Sequence, residues 1–301
     1  MTDNNSIIGV INIYKEKGFT SHDVVNIVRK SLGRVKTGHT GTLDPDAEGV
    51  LPICVGKATK LADYIAADIK EYKAELTLGI TTTTEDIWGD VIEEKSVNLS
   101  EEEVFEAIMS FKGEYSQKPP MYSAVKVNGK KLYELAREGI EVERKTRLIN
   151  IYEIRDIKNL GNNRYEFYVL CSKGTYIRTL CKDIGEKLGC GGCMSSLTRT
   201  RSGNFYIEDS IKIDDFKKAV SENRTDEIII PVEKILENYK RVHISSKAEK
   251  FVVNGNKISL SYVKEKDIAE GEKVAAVDSK KRIVGIYDVK GDFIKPVTML
   301  I

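Results

Sequence analysis

Asp44 is the side chain in this sequence whose surroundings best equip it for chemistry. It stands in a Gly-Thr-Leu-Asp-Pro turn inside KTGHTGTLDPDAEGVLPICVGKATKL, with glycines at positions 38, 41 and 49. Glycine lets backbone approach a ligand closely or take positive φ, and Pro45 holds Asp44 out of helical geometry. Thr37, His39, Thr40 and Thr42 add short hydrogen-bonding groups around the carboxylate. A carboxylate presented in this way can act as a nucleophile or accept a proton. A tight β-turn with a solvated Asp has the same local pattern, so both readings stand at this level. VLPICVG reads as a buried strand running into a short helix at Lys57, and a polar loop against a core strand is a common place for reactive groups.

Other reactive side chains are sparse. Cys190 and Cys193 have a CGGC spacing, but no second half of a metal site accompanies them, and the chain holds only three histidines, His22, His39 and His243. They read as small buried thiols, with no metal and no cofactor expected. Five cysteines in a chain of 301 residues give no disulfide framework, and no apolar run is long enough for a membrane span. The N-terminus lacks a basic-then-apolar leader pattern, so a cytoplasmic location with no membrane partner is the expectation.

Net charge is only +1, yet the charges are segregated. Residues 112–147 hold nine Lys or Arg against five Glu, and 171–203 hold six against two acids, whereas 93–103 carry five Glu and one Lys. Tyr115, Tyr122, Tyr133 and Tyr176 interleave with the basic stretches. That mixture fits a face tracking phosphates, although exposed helices produce similar counts.

The elements that must position these groups follow from periodicity. GVINIYKEKG alternates as a strand, and a helix capped by Ser21 runs to Leu32 with Val24, Val25, Ile27 and Val28 inward. KEYKAELTLG and GDVIEEKS read as strands, joined by a polar connection from Thr81 to Asp86. Ser100 with Glu103 forms a capping box for a helix reaching Met109. QKPPMYSAVKVNGKKLYELAREGIEV contains Pro-Pro, an Asn-Gly turn and a short helix over 132–137, an excursion from the sheet. TRLINIYEIRDIK and RYEFYVLCS are strands, and the second leads through Lys173-Gly174-Thr175 into a helix ending near Leu188. The pattern predicts an α+β fold with a mixed, largely antiparallel sheet over 1–235, interrupted by an insertion at about 112–147. Short alternating segments after Arg241 predict a small β-barrel over 240–301.

Four stretches, GHTGTLDPDAEGVLPICVGKATKL, KEYKAELTLG, KPPMYSAVKVNGKKLYELAREGIEV and CSKGTYIRTLCKDIGEKLGC, resemble in order and spacing the motifs of the TruB family of tRNA pseudouridine(55) synthases. The resemblance covers roughly residues 8–210, and the tail is similar to that family's PUA-like RNA-binding domain. It implies isomerisation of one T-loop uridine of tRNA, flipped from its stack: the N1 glycosidic bond breaks and C5 bonds to C1′. Asp44 matches the catalytic Asp, acting either at C1′ or on the 2′ proton. Arg178 in GTYIRTL matches the active-site Arg, expected to pair bidentately with Asp44. Tyr72 in KEYKAEL matches the active-site Tyr, placed to stack on uracil and assist proton loss from C5. His39 matches the wedge that fills space left by flipped nucleotides, and Leu197 in SSLTRTRSG matches an apolar residue of the uracil pocket.

Without the resemblance, Arg178 reads as a surface residue on a first helical turn, Tyr72 as an inner-face strand residue and Leu197 as core. Lys60, Lys126, Lys130, Lys131, Arg137 and Tyr176 are candidate RNA contacts. The full-length insertion corresponds to the stand-alone bacterial enzymes, which implies no guide RNA, and a monomer suffices. One departure is Asp46-Ala47-Glu48-Gly49 where the family often has Leu-Ala-Thr-Gly; the two extra acids, which would repel phosphate, are expected to point outward. A non-catalytic RNA-binding protein and a uracil-releasing N-glycosidase are the competing functional classes.

Overall fold

The computed structural model describes residues 7–66 and 69–301. Residues 1–6, on which the reading of the N-terminus partly rests, lie outside them. Among the described residues, ten strands form one sheet. Its path runs Ile211–Lys212, Gly9–Lys15, Glu48–Val55, Gly192–Ser202, Ile69–Leu78, Arg164–Ser172, Arg147–Gly161 and Gly113–Gln117. Thr37–His39 lies beside Glu48–Val55, and Phe205–Tyr206 beside Gly192–Ser202. Two pairings are parallel, that of Gly9–Lys15 with Ile211–Lys212 and that of Glu48–Val55 with Gly192–Ser202; the rest are antiparallel. This is the mixed sheet that the strand pattern predicts.

The helix Ser21–Ser31 buries Val24, Val25 and Val28 against Ile11, Ile13, Leu51 and Ile53 of the sheet, with Ile213 and Phe216 of a later helix in the same cluster. Its cap is Thr20, one residue earlier than expected. Asp23 lies three positions after Thr20 and completes both halves of the capping box. Ser21 is thereby free to bind elsewhere, and its Oγ accepts from Leu43 N at 2.8 Å and donates to Leu43 O at 3.0 Å. The helix start thus anchors the residue before Asp44.

Strand alternation places Tyr72, Ala74, Leu76 and Leu78 inward, in one cluster with Phe167, Val169, Ile177, Leu180 and Leu197. The helix Ile177–Lys187 packs tightly on the CGGC turn. A Cβ at Gly185 would lie 2.3 Å from the Gly191 carbonyl carbon, and Gly191 itself has φ +76°. The paired glycines therefore serve backbone packing, and both flanking thiols are buried and free.

Between Gly113–Gln117 and Arg147–Gly161 the chain leaves the sheet. There the Asn-Gly turn closes a hairpin of Lys126–Val127 and Lys130–Lys131, with positive φ at Asn128 and Gly129, and the helix Leu132–Arg137 follows. After Ser221 the chain stays against the sheet: Val10 and Ile230 exchange backbone hydrogen bonds of 2.9 and 2.8 Å, and Val232 and Leu236 are buried. The tail forms a five-stranded sheet in the order Lys240–His243, Lys273–Val277, Ile283–Lys290, Phe293–Met299, Ile258–Ser259. Ala275, Val277, Ile286 and Leu300 of this unit share one core with Val10, Val50, Cys54 and Leu61. Each large aliphatic side chain buried there contributes roughly 1.5–3 kcal/mol. The tail is therefore packed on the large sheet rather than tethered to it.

Candidate active site

The Asp44 turn is fastened from both sides. Ser21 holds Leu43, and Pro45 O accepts from Gly18 N at 3.0 Å and from Lys15 Nζ at 3.1 Å. Within the turn, Ala47 N donates to Asp44 O at 3.1 Å. The Asp44 carboxylate remains 42% exposed and so can meet a ligand, whereas the Arg178 side chain beside it is only 7% exposed.

Arg178 Nε lies 3.0 Å from Asp44 Oδ2. The pair is monodentate, not bidentate as expected, because the rest of the guanidinium fork is committed elsewhere. Nη1 donates to Thr84 O at 3.1 Å and to Asp86 Oδ2 at 3.4 Å, and Nη2 donates to Tyr122 O at 2.9 Å. One side chain thus joins the Asp44 turn, the connection after Ile80–Thr82 and the insertion. Burial pushes the Asp86 carboxyl above its usual range, opposed by the Thr84 hydroxyl and the Arg178 charge. Arg178 is itself positioned by its helix. Gln117, at the end of a sheet strand, grips the backbone of Tyr176 by donating to its carbonyl at 2.9 Å and accepting from its N–H at 2.8 Å.

Tyr72 is buried on Ile69–Leu78, directly across from Arg199 on Gly192–Ser202, and Leu197 pairs with Ala74 in the same ladder. Leu43 and Ala47 of the turn join Tyr72 and Leu197 in one apolar cluster. Burial raises the Tyr72 phenol, and the Arg199 cation opposes that rise. The site therefore combines a held carboxylate, a buried phenol and an apolar floor. His39 ends the short strand that enters the loop. Its ring is half-buried, Nδ1 lacks a hydrogen-bond partner, and burial followed by the Arg199 charge lowers its pKa, which favours the neutral ring.

Three neighbours are not singled out by the sequence, namely Lys15, Asp86 and Arg199. Lys15 follows Ile11 and Ile13 on the inward face of its strand and is fully buried. Burial lowers its ammonium to about 8, against the opposing pull of Asp46, Asp44 and Glu48. Asp46 and Glu48 do not simply point outward. They are half-buried, their charges bear on Lys15, and Glu48 Oε1 accepts from Thr198 Oγ1 at 3.4 Å. The extra acids are thus companions to a buried cation. For Lys15 the sequence signal is a cation at an inward position of an apolar strand, and for Arg199 a cation two residues after the apolar Leu197; Asp86 gives none beyond its polar segment.

The remaining candidates lie on other parts of the surface. Lys126, Lys130 and Arg137 are on the insertion, Lys130 lies 3.7 Å from Glu138, and Lys131 and Arg137 sit 5.3 and 5.7 Å from the Tyr133 ring centroid. Lys60 lines a cavity of about 380 Å³ with Arg34, Lys36 and Lys57, and its Nζ donates to Met299 O at 2.9 Å. The insertion reaches the site through Tyr122; Lys60 instead touches the tail. No helix among the described residues is long and apolar enough to cross a membrane.

The mixed sheet thus carries an Arg-held Asp on a glycine-rich turn with an inward Tyr beside it. Residues 29–177 match the N-terminal domain of the TruB family pseudouridylate synthases, and 178–237 match the tRNA pseudouridylate synthase B C-terminal domain. The chain belongs to the TruB family and is an isomerase that makes pseudouridine. It is 52% identical over 238 residues to the tRNA pseudouridine synthase B of Alkaliphilus oremlandii, covering 79% of this chain and 78% of that one. With the enzyme of the same name from Clostridium tetani it shares 54% over 237 residues, covering 78% and 80%. Among solved structures it is similar to a chain of a Cbf5-Nop10-Gar1 complex, with a TM-score of 0.73 and 30% identity, covering 97% of this chain and 85% of that one.

Proposed function

We propose that the chain converts the T-loop uridine of tRNA, position 55, to pseudouridine, acting as a monomer without guide RNA and after flipping the base from its stack. The observation that carries this reading is the 3.0 Å pair of Arg178 with Asp44, beside buried Tyr72. Asp44 acts on the sugar, either by adding to C1′ as N1 departs or by taking the 2′ proton. The detached uracil anion rotates over Leu197, C5 bonds to C1′ as the Asp44–C1′ bond breaks or the 2′ proton returns, and the C5 proton leaves with help from the Tyr72 oxygen while N1 takes up a proton from solvent. No atom is gained or lost. The neutral His39 ring fills the stack that the base vacates, and a flat neutral ring suits that role. Stand-alone action is supported by the full insertion docked on Arg178 through Tyr122, and by relatives named tRNA pseudouridine synthase B.

Incubation of a T-arm transcript with the purified protein is expected to yield pseudouridine at the T-loop uridine alone, at unchanged mass. Release of the base as free uracil would indicate an N-glycosidase, and unmodified bound RNA would indicate a binding protein. T-arm affinity is expected to fall on the order of 10²–10³-fold between about 50 and 200 mM salt for about five phosphate contacts. A flat dependence in filter binding would remove the basic residues of the insertion from the interface.

A further inference from the structure

We infer that Arg199 is a positioning residue for the isomerisation, holding the Asp44 turn and Tyr72 in one frame through a single buried guanidinium; the inference rests on the roles proposed above for those two residues. The Arg199 side chain is wholly inaccessible. Its Nε donates to Val50 O at 2.7 Å, Nη1 to Thr42 O at 3.3 Å and Nη2 to Gly41 O at 3.1 Å. These carbonyls bracket Asp44 in sequence, two before it and one after. On the neighbouring strand Tyr72 is its direct cross-strand partner, and its phenol interacts with the guanidinium.

A purely architectural role does not explain the choice of residue. Burying a guanidinium costs several kcal/mol unless its donors are met, and a pairing carboxylate is the usual remedy. Here the hydrogen bonds go to three backbone carbonyls, with Tyr72 directly across on the neighbouring strand and no carboxylate among the acceptors. The strand crossing is secured without the side chain: Gly49 has φ +105°, and a Cβ there would lie 2.3 Å from Arg199 O, so the two backbones are already in contact. What the guanidinium adds is a rigid fork reaching back over the turn, and a fixed positive charge beside the phenol. The fork limits where Asp44 can sit, and small displacements of a reacting group are costly in rate. The charge partly offsets the rise that burial imposes on the phenol.

The test is Arg199→Lys, with Arg199→Gln as a second variant should the first fail to fold, each in wild-type and Tyr72→Phe backgrounds, with Asp44→Asn alongside. Pseudouridine formation in T-arm RNA gives kcat and KM, and thermal melting gives the folded fraction. Arg199→Lys is expected to lower kcat by at least about 30-fold with KM within about threefold. In the Tyr72→Phe background the same substitution is expected to cost several-fold less, because only its hold on the Asp44 turn remains to be lost. The inference is overturned by kcat within about twofold of wild type, by a rise in KM alone, by a rate loss equal to the loss of folded protein, or by the same factor in both backgrounds. Turnover retained by Asp44→Asn would defeat the underlying site assignment; an inactive Asp44→Asn beside a fully active Arg199→Lys would defeat this inference alone.

Discussion

Asp44→Asn is expected to lower pseudouridine formation by a factor on the order of 10⁴ or more while T-arm binding stays within about threefold. The amide is nearly isosteric with the carboxylate. The contacts that shape the turn lie on the backbone of Leu43, Asp44 and Pro45, so they survive the change. An amide oxygen can still sit beside Arg178 Nε, which keeps the side chain oriented. What disappears is the negative charge and the basic oxygen, and both routes at the sugar need one or the other. Single-turnover release of the C5 hydrogen, followed as tritium, measures the loss directly. Turnover within about tenfold of wild type would show that another group performs the sugar chemistry.

The second large effect is expected at Arg178. Arg178→Lys keeps a positive charge but can reach only some of the partners that the planar fork serves: Asp44, Asp86, Thr84 O and Tyr122 O. Misplacement of Asp44 then lowers the rate by about 10²-fold. Arg178→Met goes further, leaving two neighbouring carboxylates without their shared cation. Asp86 is the more deeply buried, its side chain 13% exposed, so losing its partner is expected to destabilise the fold by about 3 kcal/mol. Adding Asp86→Asn should return much of that stability without restoring turnover. Urea denaturation of the single and double variants, beside their rates, separates the two roles. Equal stability of Arg178→Met and wild type would mean that Asp86 does not depend on the ion pair.

The parts of this fold legible in the sequence are those governed by local rules. Strand alternation places Tyr72 inward, Leu197 reads as core, and the Asn-Gly turn and the Ser100 capping box appear where expected. The cap expected at Ser21 falls one residue earlier, because Thr20 and Ser21 are both competent and the choice depends on which lies three before an acid. Arg199 and Lys15 stay hidden for a different reason. An inward cation is tolerable only when distant backbone supplies its acceptors, and Gly41, Thr42, Val50 and Pro45 reach those cations only after the sheet assembles. The monodentate geometry of Arg178 is equally invisible, since it depends on Tyr122 and Thr84, which lie 56 and 94 positions away.

Val10, Val50, Cys54 and Leu61 share a core with Ala275, Val277, Ile286 and Leu300, so swinging the tail away from the large sheet would expose that apolar surface to water. An RNA spanning both would meet a caliper of fixed opening. Capture then loses little protein entropy, and a substrate whose stem and loop are spaced differently must bend itself to fit. Discrimination of this kind reads the outline of a folded RNA and needs no contact with its base edges.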